Sequence, residues 1–306
     1  MKSVTVRVPA KINLSLGVGP VGEDGFHRLA TVYQAVDLFD EVRAIQVDGN
    51  ELSVTVHFER DRNVEAGAVP ETDDNLAIRA AKLVREASGI DEGAALSIRK
   101  VIPVAGGMAG GSADAAAALV ACNELWGAGL SRAELDELAA ELGSDVPFLL
   151  HGGIAIGGGR GEKISPVLAR GHYHWVFVIA AEGLSTAEVY AEFDRLNEGQ
   201  DVPDPQISAG LMSALRAGNA EALGVALTND LTDASLSLRP ELRDLIELGF
   251  DCDALGGLIC GSGPTVMFLA ADEPAALDLA VALASSRLCA DVVQASGPVQ
   301  GARVIT

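Results

Sequence analysis

The sequence predicts an α+β fold in two domains, on two observations. The chain has 306 residues, too long for one average core and short for three. Helices and short strands are mixed along it without a regular βαβ alternation. We place the boundary after residue 155, giving an N-terminal domain at 1–155 and a C-terminal domain at 156–306.

Val4, Val6 and Val8 share one face of a first strand. A turn through Pro9 to Ser15 and a glycine-rich loop from Gly17 to His27 are expected next. Thr31 to Phe58 reads as strands with a hairpin turn at Asp48-Gly49-Asn50, and Asp61 to Pro70 as a surface loop. Asp74 is placed to cap a helix over Leu76 to Ala87, which Gly89 closes. A strand over Ala94 to Ile102, a glycine-rich turn and a helix over Ser112 to Trp126 follow. Ser131 and Glu134 have capping-box spacing for a helix to Leu142, and Gly143 to Phe148 breaks it. A second glycine cluster covers Gly152 to Gly161. In the second half we expect a strand over His174 to Ala181. Helices are expected over Thr186–Leu196, Gln206–Ala217, Ala220–Leu227 and Pro240–Gly249. Strands near Ala254–Ile259 and Thr265–Ala271, a helix over Pro274–Arg287 and a strand near Asp291–Ala295 complete the chain.

Composition narrows the function. A net charge of −21 argues against free nucleic acid as a partner, because a phosphate backbone requires a basic footprint. An acidic chain that binds nucleotides must rely on helix N-termini, backbone amides, a few lysines and Mg²⁺. No apolar run reaches the length of a spanning helix, and the N-terminus alternates like a strand, so we expect a cytoplasmic protein. Cys122, Cys252, Cys260 and Cys289 form no CxxC pair, which disfavours structural zinc and fits reduced, mostly buried thiols.

The most informative segment is Pro103-Val104-Ala105-Gly106-Gly107-Met108-Ala109-Gly110-Gly111-Ser112-Ala113, between a strand and a helix. Its glycines and alanines remove side-chain bulk, so a phosphate chain can approach the backbone. The following helix offers free amides and the positive end of its dipole. The Ser112 hydroxyl suits a helix cap, a phosphate contact or a metal contact. The segment is neither GxxxxGK[ST] nor GxGxxG. Read alone, it is also compatible with a tight turn that lets a helix pack closely.

This segment resembles the second motif of the GHMP kinases, with Met108 in place of the usual leucine and Gly111-Ser112-Ala113 in place of Gly-Ser-Ser. Pro9-Ala10-Lys11-Ile12-Asn13-Leu14 resembles their first motif. Read without the family, Lys11 and Asn13 lie two apart on an extended segment and face one side. Gly261-Ser262-Gly263, followed by the apolar Val266 to Phe268, resembles the third motif. The motifs occur in order from residue 9 to 268. The resemblance implies a two-domain GHMP-kinase fold with its active site in the cleft between domains. ATP would lie on the 103–113 loop, with Mg²⁺, and the C-terminal domain would contribute to substrate binding.

The same resemblance implies roles for individual residues. Gly143-Ser144-Asp145-Val146-Pro147-Phe148 is similar to a segment whose aspartate is the proposed base, so Asp145 would accept the hydroxyl proton with Lys11 beside it. Taken alone, Asp145 also fits a helix or turn cap. Gly25-Phe26-His27 and Ser185-Thr186-Ala187-Glu188-Val189-Tyr190 resemble segments of the branch that phosphorylates a diphosphocytidyl sugar alcohol. By that resemblance His27 would pair with the cytosine edge, Phe26 and Tyr190 would wall its faces, and Thr186 would touch substrate; core packing is the other reading of the two rings. Asn13, Gly261 and Ser262 would complete the acceptor side. Asp74-Asn75-Leu76 and Lys100 correspond to the family's adenine side, so Asn75, Leu76 and Lys100 join the ATP-binding set. No acidic cluster marks a metal cage, and Ser112 is the one metal-ligand candidate. A homoserine- or mevalonate-type kinase and a non-catalytic sensor are the alternatives; Gly25-Phe26-His27 and Gly143-Ser144-Asp145-Val146-Pro147-Phe148 disfavour the first, and retention of Lys11 with Asp145 the second. We expect a small-molecule acceptor, no membrane partner, and a monomer or weak homodimer.

Overall fold

The alternation that starts at Val4 runs much further than expected. In a computed structural model, β1 (Ser3–Val21) continues through Pro9–Ser15 and into the glycine-rich stretch, both expected to leave the strand. It pairs antiparallel with β2 (His27–Val47), and register shifts at Pro9/Ala10 and Asn13/Ser15 absorb the irregular residues as bulges. The structure describes residues 2–59, 69–104, 106–180, 183–286 and 291–305. Residues 61–68 of the loop expected over Asp61 to Pro70, and Cys289, lie outside them.

The turn at Asp48-Gly49-Asn50 forms, with Gly49 at φ +80°, but it does not close a hairpin. β3 (Leu52–Phe58) lies parallel to β4 (Gly93–Lys100), and β4 lies between β2 and β3. A parallel pair needs a crossover, and α1 (Leu76–Ser88) supplies it. The side chain capping α1 is Asn75, which accepts from the Ala77 amide at 2.8 Å, and not Asp74. Gly89 closes α1 in the left-handed region at φ +71°, as expected.

α2 (Gly110–Trp126) is apolar nearly all round, and its alanine run lets it lie close against β1, β2 and α1. α3 (Arg132–Leu142) carries the expected Ser131–Glu134 capping box. The short α4 (Val146–His151) follows the break at Gly143, and β5 (Ile154–Gly158) and β6 (Lys163–Pro166) form a hairpin beside β2. The boundary expected at 155/156 therefore falls inside β5, a strand of the first sheet.

The second sheet opens with β7 (Tyr173–Ile179). The chain continues through α5 (Thr186–Leu196), α6 (Ala209–Ala217) and α7 (Ala220–Ala226) to β8 (Thr228–Asn229), which pairs with β1. α8 (Thr232–Leu238), α9 (Leu242–Asp251), β9 (Gly256–Ile259), β10 (Val266–Ala270), α10 (Glu273–Ala284), β11 (Asp291–Gly297) and β12 (Arg303–Val304) follow. The first sheet runs β12-β1-β2-β4-β3, with β5 on β2 and β8 on β1; the second runs β11-β7-β10-β9.

Alternation along β7 joins the two sheets. Trp175 and Phe177 enter the core of the first sheet, while Val176 and Val178 face a second core under α9 and α10. The Trp175 indole donates to Gln34 Oε1 at 2.8 Å in the buried seam. This fixes the geometry of the cleft above it.

Candidate active site

The glycine-rich loop before α2 is held by contacts that only glycine permits. Gly107 adopts φ +75°, and a Cβ there would lie 2.0 Å from the Cys260 carbonyl oxygen. A Cβ on Gly110 would lie 2.9 Å from Lys100 Nζ. The loop is thus seated between β4 and the Gly261-Ser262 turn. Lys11 N donates to Met108 O at 3.3 Å, fastening it to β1. The residue preceding α2 is Ala109, at φ +60° and without a side-chain cap, so Ser112 sits inside the first turn and does not cap the helix. The first helical bond of α2 runs from Ala113 N to Ala109 O at 2.9 Å. The amides of Gly110, Gly111 and Ser112, at the N-terminal end of α2, therefore have no acceptor within the helix.

Below this end lies a cavity of about 980 Å³. Pro103, Gly106, Gly107, Ala109, Gly110 and Gly111 line it, as do Lys11, Asn13, Phe26, His27, Asp145, Thr186, Tyr190, Gly261 and Ser262. Of the other loop residues proposed for ATP, Met108 and Ala113 are buried beneath the wall, and Val104 and Ser112 are outside the lining. Ala105 lies outside the described residues. Leu76 flanks the loop, since a Cβ on Gly111 would meet Leu76 Cδ1 at 3.7 Å. Asn75 is committed to its cap and to Pro70 O.

Lys100 does not reach the cavity. Its ammonium is buried between Asp40 Oδ2 at 2.5 Å and Asp114 Oδ2 at 2.9 Å. Asp40 Oδ1 also accepts the amides of Val101 and Ile102 at 2.6 and 2.9 Å. This network ties α2 to β2 and β4 beneath the loop. Its position directly before the loop suggests a ligand contact, but burial with two carboxylates makes it structural.

At the near end of the cavity, Lys11 Nζ lies 3.5 Å from Asp145 Oδ2 and donates to Asn13 Oδ1 at 2.9 Å. Asn13 Nδ2 donates to Thr31 Oγ1 at 2.7 Å, and Thr31 donates to the Ser15 carbonyl at 2.7 Å. This chain fixes the Asn13 amide, and with it the lysine. Asp145 precedes α4 but makes no capping bond, so its carboxylate is available to the cavity. Tyr33, which sequence reading missed, donates its hydroxyl to Asp145 Oδ1 at 3.1 Å. Burial first, and then the Asp145 charge, raise the Tyr33 phenol well above its ordinary value, so it stays a donor.

At the far end, the His27 Nδ1–H donates to the Gly19 carbonyl at 2.8 Å, which leaves Nε2 toward Asp194 at 3.4 Å. The His27 ring lies 5.1 Å from the Tyr190 ring, tilted by 32°. Phe26 is 53% exposed, which rules out core packing for it. One face of Phe26 carries the Arg160 guanidinium at 3.9 Å. Phe26 and Tyr190 line the same cavity, Phe26 beside Arg160 and Tyr190 beside His27. Thr186 Oγ1 and Ser262 Oγ are 2.9 Å apart. Asn229 Nδ2 donates to the carbonyls of Ile259 and Gly261 at 2.9 and 2.7 Å, holding that turn. Arg160, Ser144 and Asp194 also line the cavity and were missed; the glycine cluster at 152–161 was the one signal that pointed near Arg160.

Among the described residues, no group of three His, Cys, Asp or Glu side chains could hold a metal ion, and no helix is long and apolar enough to cross a membrane.

The chain is similar to known proteins in both halves and over its full length. The GHMP kinases N terminal domain matches residues 75–153, and the GHMP kinases C terminal domain matches residues 211–287. A Thermobifida fusca protein named 4-diphosphocytidyl-2-C-methyl-D-erythritol kinase is 53% identical, covering 99% of this chain and 98% of its own. A Streptomyces coelicolor protein of the same name is 52% identical over 99% of each. The crystal structure of a 4-(cytidine 5'-diphospho)-2C-methyl-D-erythritol kinase superposes with a TM-score of 0.74 at 31% identity, covering 95% of this chain and 98% of that one. A Cytophaga hutchinsonii homoserine kinase superposes at 0.77 with 22% identity over 100% and 98% of the two chains, a likeness of fold.

Proposed function

The chain belongs to the GHMP kinases, and from that premise we propose that it transfers the γ-phosphoryl group of ATP to the 2-hydroxyl of 4-diphosphocytidyl-2-C-methyl-D-erythritol. The product is the 2-phosphate, within the isoprenoid pathway that does not use mevalonate. The observation that carries this reading is one cavity with a Lys11–Asp145 pair under a glycine loop at one end and His27, Tyr190 and Phe26 at the other.

Asp145 takes the proton of the acceptor hydroxyl as the oxygen attacks phosphorus. Tyr33 holds one carboxylate oxygen, so the other turns toward Lys11 and the acceptor. Lys11, itself anchored by Asn13, places positive charge where negative charge gathers on the transferring group. The free amides at the start of α2 cradle the phosphates of ATP. Mg²⁺ would be held mainly by nucleotide phosphates and water, and Ser112 on the first turn of α2, though outside the cavity lining, is the one protein hydroxyl proposed to assist. When bound, Mg²⁺ would supply neutralisation of phosphate charge. His27 and Tyr190 receive the cytosine, with Thr186 and Ser262 on the acceptor side. The same reading takes the enzyme as cytoplasmic and as a monomer or weak homodimer.

The test measures ADP release with ATP and Mg²⁺ against the diphosphocytidyl acceptor, homoserine and mevalonate, for wild type and Asp145→Ala. Turnover of the cytidyl compound alone is expected, with kcat reduced about 10²- to 10⁴-fold in the variant. Turnover of another acceptor with the cytidyl compound inert would refute the substrate; a variant near wild-type rate would refute Asp145 as base.

A further inference from the structure

A diphosphocytidyl acceptor carries its two phosphates between the base and the alcohol. Its charge must therefore cross the middle of the cavity, between the His27–Tyr190 end and Asp145. The protein carries a net charge of −21, so that passage needs a local cation. The Lys and Arg side chains lining the cavity are Lys11 and Arg160. Lys11 is already bound to Asn13 and lies against Asp145.

Arg160 bridges the two ends: its turn rests on Tyr33 and its guanidinium covers Phe26. It sits on the turn between β5 and β6, flanked by Gly159 at φ +73° and Gly161 at φ +107°. Leu29 N donates to the Gly159 carbonyl at 2.8 Å, fastening the turn to β2. A Cβ on Gly161 would lie 2.4 Å from the Tyr33 hydroxyl, so the turn rests on the residue that orients Asp145. On its other side, the guanidinium covers Phe26 at 3.9 Å and donates to Asp24 Oδ2 through Nε at 3.1 Å and Nη2 at 2.7 Å. Asp24 Oδ1 accepts the Phe26 amide at 3.0 Å, so one carboxylate holds both the ring's backbone and its cover.

The Arg160–Asp24 pair is about half exposed on each side, at 47% and 49%. Such a pair is weakly held and gives way readily to a stronger anion. A guanidinium forms two parallel hydrogen bonds to phosphate, and it keeps its contact with an aromatic face while doing so. We propose that Arg160 is a specificity-determining residue: it exchanges Asp24 for the acceptor's diphosphate while bracing the Phe26 ring. This rests on the acceptor assigned above and adds to it the group that selects a diphosphate over an uncharged nucleoside.

Calorimetric titration with cytidine diphosphate and with cytidine tests it without turnover. Wild type is expected to bind the diphosphate about tenfold or more tightly than the nucleoside. Arg160→Gln should bring the two within about threefold of each other, by weakening the diphosphate alone. Asp24→Asn keeps the acceptor for the Phe26 amide but releases Arg160, and should tighten the diphosphate about two- to threefold with cytidine unmoved. A gain of affinity is a result that a damaged fold does not produce. If both variants keep the wild-type preference, Arg160 does not read the diphosphate, while the cytidyl acceptor stands. If wild type binds neither compound, the acceptor assignment fails and this proposal with it.

Discussion

Tyr33 donates to Asp145 Oδ1 at 3.1 Å while Lys11 approaches Asp145 Oδ2 at 3.5 Å, so the two oxygens of one carboxylate have different partners. The Tyr33 ring is fixed from behind by Phe148, stacked at 4.9 Å and 28°. Tyr33→Phe keeps that stack and removes only the hydroxyl. We predict a fall in kcat of about tenfold, or ~1.4 kcal/mol, with the KM for ATP and the melting temperature nearly unchanged. An unchanged kcat in steady-state assays would mean that Lys11 alone orients Asp145.

Two glycines of the loop at the start of α2 separate folding from binding. An added methyl at Gly107 would overlap the Cys260 carbonyl at 2.0 Å and require φ +75° of a residue with a Cβ. Gly107→Ala should cost about 3 kcal/mol in denaturant unfolding and separate the loop from the Gly261-Ser262 turn. At Gly111 the methyl meets only Leu76 Cδ1, at 3.7 Å. Gly111→Ala should therefore fold normally yet raise the KM for ATP about tenfold, since the methyl occupies the phosphate side. A wild-type KM in that variant would show that the phosphates lie elsewhere.

Side chains that act through short-range sequence relations were legible, and those placed by tertiary contacts were not. Lys11 and Asn13 are two apart on a strand, and their common direction follows from its period alone. Pro9 to Ser15 nevertheless looked like a turn, because two bulges keep the strand going where local propensity would end it. The Asp48-Gly49-Asn50 turn was visible, but whether β3 pairs with β2 or crosses over depends on α1 and β4. Asn75 and Asp74 are equally good caps on paper; the backbone at Asn75, φ −64° and ψ 128°, decides. Ala109 takes a left-handed conformation that propensity disfavours, so the start of α2 was read near Ser112. Tyr33 sits on β2 with no motif around it, and only the fold brings it to Asp145.

The network under the loop makes stability depend on pH in a way that its geometry determines. Burial raises the Asp114 carboxyl to about 8; Lys100 pulls it down and Asp40 pushes it up. In the unfolded chain the same carboxyl loses its proton near its ordinary value of 3.8. Between those values the folded state holds one proton more than the unfolded state, so this group's contribution to stability falls as pH rises from about 4 to 8 and levels off above. Asp114→Asn places an uncharged amide in the same space and removes the titration. We predict that wild type loses on the order of 10 °C more in melting temperature between pH 5 and pH 8 than Asp114→Asn does, the equivalent of ~4 kcal/mol. Parallel curves would mean that Asp114 stays ionised in the fold, paired with Lys100 throughout. Lys100→Met, by contrast, leaves Asp40 and Asp114 facing each other without a cation, and should cost about 3–5 kcal/mol near neutral pH. Because Lys100 is what pulls the Asp114 carboxyl down, that carboxyl should keep its proton to still higher pH in the variant, so acidification from pH 7 to pH 5 should recover little of the loss.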